Sequence, residues 1–328
     1  MSSYLPYIKL YKKDICQQMN QLASVGTPFL FIVDYKAENG YVIKLDELDE
    51  NFIRFQINEP MCQCADVPIK WEIEPLSEAI YSSKFNYVQE QIHQGNSFLT
   101  NLTLPTKVSS NLSLLDLFQQ GSAKYKLWFN NYFTVLSPET FIKIEGQQIS
   151  SFPMKGTIDA AKSNAEAVIL SDPKEKAEHA TIVDLIRNDL SLVASDVEVK
   201  RYRYVEQLTT NKQDLLQVSS EITGTLPTNY RHQLGDMLFK LLPAGSICGA
   251  PKSKTLEIIA QAEGYDRGFY TGVFGVFDGK NLDSAVMIRF VEQQGDELVF
   301  KSGGGITAQS DMKKEYEELI QKVYVPIS

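Results

Sequence analysis

Several short segments of this 328-residue chain hold side chains that could do chemistry. In Pro153-Met154-Lys155-Gly156-Thr157 a lysine sits between a proline-fixed strand end and a glycine turn. On a surface such an amine is a solvated ammonium; desolvated, it loses its proton and becomes a nucleophile. Glu178 lies on the helical segment after Pro173, and Glu315, Glu317 and Glu318 lie on the last one. Residues three apart share a helix face, so Glu315 and Glu318 can point together. A hard cation such as Mg²⁺ takes one or two carboxylates plus substrate oxygens, whereas a solvated helix face needs no ion. Ser302-Gly303-Gly304-Gly305-Ile306 directly follows a strand, so its amides could converge on a carboxylate or simply form a flexible loop. Pro243–Lys252 is a second glycine loop at a helix start, without Walker spacing. Arg289, between Met287, Ile288 and Phe290 in mid-strand, is either an edge residue or a bidentate carboxylate clamp.

Elements must hold these residues in place. An apolar run, Phe29 to Val33, reads as a buried strand, with 41–45 and 52–57 as candidates to pair with it. A helix is expected over 77–94, ended by Gly95-Asn96-Ser97. Strands over 127–129, 133–136, 141–144 and 148–152 are divided by polar turn residues. Helices follow at 164–170 and 173–190. The second has Asp172 as N-cap, Pro173 in its first turn, and an inward stripe of Ala177, Ile182, Leu185, Ile186 and Leu190. Further helices are expected at 230–242 and 254–261. Three strands over 270–277, 283–292 and 297–302, joined at Asp278-Gly279 and Gly295-Asp296, predict an antiparallel meander. A last helix over 311–323 turns Met312, Tyr316, Leu319, Ile320 and Val323 inward. Runs of strands separated from runs of helices give an α+β fold with large antiparallel sheets. Residues 1–76 read as a short N-terminal segment that completes the sheets, and 77–328 as the main domain.

Composition narrows the function classes. With 43% hydrophobic and 22% charged residues the chain is globular in type, and its net charge of −9 argues against nucleic-acid or anionic-membrane partners. An anionic ligand must therefore find a local positive site. No apolar run approaches the ~18 residues needed to cross a bilayer. The N-terminal residues carry no secretion signal, so a cytoplasmic protein is expected. Cys16, Cys62, Cys64 and Cys248 make no Cys-x-x-Cys pair, and with three histidines a zinc site is not expected. Cys62 and Cys64 are too close for a routine disulfide and read as reduced thiols.

Taken together, the segments resemble the chorismate-utilising enzymes, which include anthranilate, aminodeoxychorismate, isochorismate and salicylate synthases. The resemblance runs from about residue 77 to the C-terminus. It is carried in order by Ser137-Pro138-Glu139, Pro153-Met154-Lys155-Gly156-Thr157, Ala177-Glu178-His179 with Ile182 through Leu190, and Ala244-Gly245-Ser246 through Lys252. Arg267-Gly268-Phe269-Tyr270-Thr271-Gly272, Ile288-Arg289, Gly303-Gly304-Gly305-Ile306 and Glu315-Tyr316-Glu317-Glu318 complete it. It implies that fold's large sheets packed face to face, with helices outside. Within the family, a lysine at the position of Lys155 marks aminodeoxychorismate synthase component I, where anthranilate synthases carry alanine. Isochorismate and salicylate synthases use a lysine near residues 95–103, and this chain has none there. Anthranilate synthases carry a histidine where this chain has Gln217.

The resemblance implies a mechanism and its residues. Chorismate would be held by Arg289, Tyr270 and Gly303, Gly304 and Gly305, with Gly156, Thr157, Cys248 and Lys252 also at the substrate. Mg²⁺ would sit on Glu178 and Glu318, with Glu315 nearby, and act as a Lewis acid. Lys155 would attack the ring and Glu139 would protonate the departing hydroxyl. Ammonia from a glutamine amidotransferase subunit would then displace the lysine, giving 4-amino-4-deoxychorismate for p-aminobenzoate and folate synthesis. Anthranilate synthase component I is the second enzyme reading, and a chorismate-binding subunit without turnover is the non-enzyme one. Three departures stand out. The N-terminal part is short, the usual Asn-Pro-x-Pro-Tyr segment is replaced around 124–130, and Cys248 stands where the family has threonine or serine. A thiol is a poorer donor than a hydroxyl. No acidic-serine motif of the tryptophan-inhibited enzymes occurs in the first part, so tryptophan feedback is not expected.

Overall fold

The computed structural model describes residues 6–59, 69–209 and 214–326. In chain order the elements are β1 (Leu10–Tyr11), α1 (Lys12–Ser24), β2 (Phe29–Val33), β3 (Asn39–Lys44), β4 (Ile53–Ile57) and β5 (Trp71–Glu74). Then come α2 (Glu78–His93), β6 (Leu99–Ser110), α3 (Leu114–Gln120), β7 (Tyr125–Phe129), β8 (Phe133–Ser137) and β9 (Thr140–Glu145). The middle holds β10 (Gln148–Ser151), β11 (Met154–Asp159), α4 (Ala165–Ser171), α5 (Pro173–Leu190), β12 (Ser195–Thr209) and β13 (Asp214–Thr225). The last third adds α6 (Leu234–Leu241), β14 (Gly249–Ala250), α7 (Lys252–Glu263), β15 (Val273–Phe277) and β16 (Leu282–Val286). It ends with β17 (Phe290–Gln294), β18 (Glu297–Thr307) and α8 (Met312–Gln321).

The chain divides into two interleaved units. Unit 1 is Met1–Asp49, Glu139–Gly245 and Thr271–Val286; unit 2 is Glu50–Pro138, Ser246–Tyr270 and Met287–Ser328. Strands from the first 76 residues occur in both, β1 to β3 in unit 1 and β4 and β5 in unit 2. Among the described residues, unit 1 carries a ten-stranded sheet and unit 2 an eight-stranded one, both antiparallel. The fold class is therefore α+β with large antiparallel sheets.

In unit 1 the order β1-β3-β2-β15-β16-β9-β10-β13 puts the apolar β2 in the middle, with every residue buried. Helix α1 covers this end with Ile15, Met19, Leu22 and Ala23. At the other end β10 and β11 lie end to end along one edge of β13, and β12 lies along its other edge. In unit 2 the long strands β6 and β18 pair along ten residues, from Leu298 opposite Val108 to Thr307 opposite Leu99. Side chains alternate across a sheet, so Leu102, Leu104, Phe300 and Ile306 share one face. Tyr81, Phe85, Val88 and Ile92 of α2, Ile258 and Ala262 of α7 and Leu319 of α8 pack against that face. Leu114, Leu117 and Phe118 of α3 pack further along it, with Trp128 and Val291.

Three expectations need correcting. Residues 52–57 do form a strand, but β4 pairs with β7 in unit 2 and not with β2. The expected strand over 283–292 is broken between Val286 and Phe290, so β16 and β17 belong to different sheets and the meander is two hairpins. Gly303–Gly305 do not follow a strand; they lie inside β18, opposite Thr103, Leu102 and Asn101. They form no turn; β6 pairs one edge of this stretch, while β17 pairs β18 only as far as Lys301, so alternate amides here face the edge beyond β17.

Packing at Gly275 of β15 gives a test. A Cβ there would lie 2.5 Å from Ser284 Cβ and 2.8 Å from Phe31 Cε1. Gly275→Ala should lower stability in urea by roughly 2–3 kcal/mol through overpacking. Gly146→Ala, in a turn at φ +62 with nothing within 4 Å, should lose only about 1 kcal/mol.

Candidate active site

Lys155 enters a bulge. Along β11, Met154 faces Ser219 and Thr157 faces Gln217, so β11 spends one residue more than β13 between those pairs. The extra length falls at Lys155-Gly156, with Gly156 at φ +84. Such bulges re-aim a side chain beside a functional site, and glycine is the residue that takes this φ without strain. Lys155 Nζ lies 2.7 Å from Glu178 Oε2, the lysine side chain being 27% exposed and the glutamate 6%. The amine does not point into bulk water. It is held on a buried carboxylate.

Helix α5 presents that carboxylate. The Asp172 side chain accepts the Glu175 N–H at 3.0 Å, fixing the helix start, and Pro173 needs no N–H there. Glu175 and Glu178 are one turn apart on the same face, and a Cβ at Gly156 would lie 3.1 Å from Glu175 Oε2. Ile182, Ile186 and Leu190 continue this buried face, but Ala177, expected on it, is exposed. At this end of α5 the inward positions belong to acids and to His179, which pair with polar groups of the sheet. His179 Nε2 lies 2.7 Å from Ser220 Oγ, which itself accepts the Arg203 N–H at 2.9 Å. Burial, then the charges of Arg203 and Lys155, lower the His179 pKa to about 4. His179 is thus a neutral peg between α5 and β13. Its place beside Glu178 in Ala177-Glu178-His179 is the sequence signal for it.

Glu139 stands immediately before β9, and its carbonyl accepts the Val286 N–H at 3.1 Å. Because β9 runs antiparallel to β10, with Lys143 opposite Ser150, the start of β9 and the start of β11 lie at the same end of the sheet. Glu139, Lys155, Gly156, Thr157 and Glu178 all belong to unit 1. Gln217 faces Thr157 across the ladder and is buried.

Unit 2 gathers the other candidates. Helix α8, capped by the Asp311 side chain on the Lys314 N–H, turns Glu315 and Glu318 toward Gly304. A Cβ at 304 would lie 3.5 Å from Glu315 Oε2 and 3.7 Å from Glu318 Oε1, space that glycine leaves open. Ser310 Oγ donates to Glu315 at 2.7 Å. Lys322 Nζ bridges Glu318 at 2.6 Å and the Gly303 carbonyl at 3.0 Å. Lys322, one turn after Glu318, is legible in the sequence as an i,i+4 partner. Glu315 and Glu318 are hard oxygen donors of the kind Mg²⁺ takes, and the Lys322 ammonium, 3.8 Å from the same Cβ position, shares the cradle with them. Among the described residues no three His, Cys, Asp or Glu side chains are gathered to hold a metal ion by themselves.

Arg289 is not in mid-strand. It sits in the break between β16 and β17 at φ +51, with its guanidinium 4.6 Å from the Tyr324 ring centre and 3.3–3.4 Å from Tyr324 Oη and the Lys322 carbonyl. Through Lys322 it is tied to Gly303. Tyr270 is buried beside Phe290, and Lys252 opens α7. Cys248 is buried and reduced, and its carbonyl accepts the Asn101 N–H at 2.8 Å; Cys16 is also a free buried thiol, while Cys62 and Cys64 lie outside the described residues. Behind this group Arg267 and Glu263 form a fully buried pair. Glu263 accepts from the Thr103 amide and hydroxyl, and Arg267 donates to the Ile247 and Asn101 carbonyls. That network fixes the 246–250 loop against β6.

A family model for chorismate binding enzymes matches residues 21–328. The chain belongs to the chorismate-binding enzyme family. An uncharacterized PabA-like protein of Haemophilus influenzae is 47% identical over 314 residues, 95% of this chain and 96% of that one. Aminodeoxychorismate synthase component 1 of Escherichia coli is 32% identical over 259 residues, 74% of this chain and 56% of that one. Anthranilate synthase component 1 of Archaeoglobus fulgidus is equally 32% identical, over 246 residues, 72% of this chain and 58% of that one. Among solved structures, an isochorismate synthase from Bacillus anthracis superposes with a TM-score of 0.72 at 19% identity, covering 97% of this chain and 89% of that one. Membership of the chorismate-binding family does not by itself choose among its reactions. Among the described residues no helix is long and apolar enough to cross a membrane.

The His179 peg predicts a pH dependence. The unfolded imidazole takes its proton near pH 6.5 and the folded one only near pH 4, so acid favours unfolding between those values. Denaturant melts of wild type and His179→Gln should differ most above pH 6.5. The difference should shrink by roughly 2–3 kcal/mol as pH falls to 4.

Proposed function

We propose that the protein is aminodeoxychorismate synthase component I, joining chorismate and ammonia to give 4-amino-4-deoxychorismate and water. The observation that carries this reading is the bulged lysine: Lys155, held on Glu178, stands where the anthranilate branch has an alanine. Equal identity to both kinds of relative leaves the choice to such positions. Gln217 in place of the anthranilate histidine supports the same branch.

In this reading Arg289, Tyr270, Lys322 and the β18 glycines hold substrate carboxylates, with Gly156, Thr157, Cys248 and Lys252 lining the substrate. Glu315 and Glu318 take Mg²⁺, and Glu178 is assigned to it by the same motif set. The bound ion would supply Lewis-acid polarisation of the ring. The Lys155 amine, freed of its proton, forms a bond to the ring as the double bonds shift and the ring hydroxyl leaves. Glu139 gives that oxygen the proton with which it departs as water. Ammonia then attacks the carbon that lost the hydroxyl, and the lysine leaves with its electron pair. The ammonia would come from a glutamine amidotransferase subunit, and the product would feed p-aminobenzoate and folate synthesis in the cytoplasm.

Purified protein with chorismate, Mg²⁺ and an ammonium salt should yield the aminated product without pyruvate, followed by liquid chromatography and mass spectrometry. Fluorescent anthranilate together with pyruvate would select the anthranilate synthase reading instead. Glu139→Gln should lower kcat by about 10²–10⁴ as expected for a lost general acid. Lys155→Ala should lose at least as much, and full activity in that variant would remove its nucleophile role.

A further inference from the structure

The pair that carries the functional reading also poses a difficulty for it. An ammonium held at 2.7 Å on a buried carboxylate has no lone pair to attack a ring, and Glu178 is the side chain assigned to the cation. Lys155 holds Glu178 Oε2, so a divalent cation on this 94% buried side chain would have to share Oε2 or take Oε1 close beside the ammonium, where a 1+ and a 2+ charge repel each other. Lys155, in contrast, has room to leave. It is the more exposed partner, it sits in a bulge whose backbone is not locked into the ladder, and its stem has four rotatable bonds.

We propose that Lys155 and a divalent cation hold Glu178 in alternation, so that cation binding at Glu178 releases the Lys155 side chain toward the substrate. The inference rests on the reading of Glu178 as a Mg²⁺ ligand. It adds an order of events: the cation arrives first, and the lysine becomes available only afterwards. The exchange makes and breaks no covalent bond. Linkage requires it to be reciprocal, so whatever the pair contributes to holding Glu178 must be subtracted from the affinity for the cation.

The test is Mn²⁺ binding to the full chain without chorismate, measured by electron paramagnetic resonance on wild type, Lys155→Gln, Glu178→Gln and the double variant. Lys155→Met serves as a second uncharged replacement, and thermal melts confirm that each variant is folded. Lys155→Gln should bind Mn²⁺ about three- to tenfold more tightly than wild type, the worth of a partly buried pair. In the Glu178→Gln background the same change should leave the affinity where it is. No tightening in either uncharged variant overturns the exchange while a weakened Glu178→Gln keeps the metal reading intact. Equal tightening in both backgrounds also overturns it, because Lys155 would then act through its field alone. Wild-type affinity in Glu178→Gln would overturn the metal reading itself.

Discussion

A single ion pair, Lys155 on Glu178, is the constraint around which unit 1 is arranged at the β11 end of its sheet. A buried carboxylate is costly without a cation or several donors. The chain provides the cation from a strand and the carboxylate from a helix, and both must be aimed. The bulge at Lys155-Gly156 turns the lysine out of the ladder, and the Asp172 cap sets where the first turns of α5 begin. His179 then pins α5 to β13 through Ser220, one residue beyond Glu178. Removing any of these leaves the residues present but lets their separation drift.

Unit 2 solves a related problem with different parts. Its glycines matter for the space they leave and the close approach they allow. At Gly304 the missing side chain leaves a cradle for Glu315 and Glu318, while at Gly303 a Cβ would meet the Leu102 carbonyl at 2.3 Å. The same run of glycines therefore serves both close strand pairing on one face and an open acidic site on the other. The opposite face of that strand carries the buried Lys301, which pairs with Glu292 and donates to the Arg267 carbonyl, and burial pulls its pKa down. Charged groups on this face are satisfied inside the unit, which keeps the loop at Cys248 fixed.

Most elements were legible because local signals and tertiary packing agreed. Helix α5 begins and ends where Asp172, Pro173 and Leu190 indicate, and the hairpins at Asp278-Gly279 and Gly295-Asp296 form as their turn residues dictate. What could not be read was partner choice. The 52–57 strand has the right pattern for either sheet, and only long-range packing sends it to β7. The break at Arg289 was hidden because apolar residues continue through it and nothing local announces a positive φ in an arginine. Ala177 misled because its apolar side chain fitted a stripe that, at that end, is made of acids. The five-residue segment around Lys155 was visible as chemistry, but its counter-ion lies in another element, and periodicity does not report contacts between a strand bulge and a helix.

A covalent bond between Lys155 and the substrate ring is what distinguishes this chemistry most directly. Protein mixed with chorismate and Mg²⁺ in the absence of ammonia, quenched in acid and digested, should carry the mass of one chorismate less one water on the peptide containing Lys155. Aminated product formed at full rate by a protein that never acquires that mass, or acquires it at a different side chain, would contradict it.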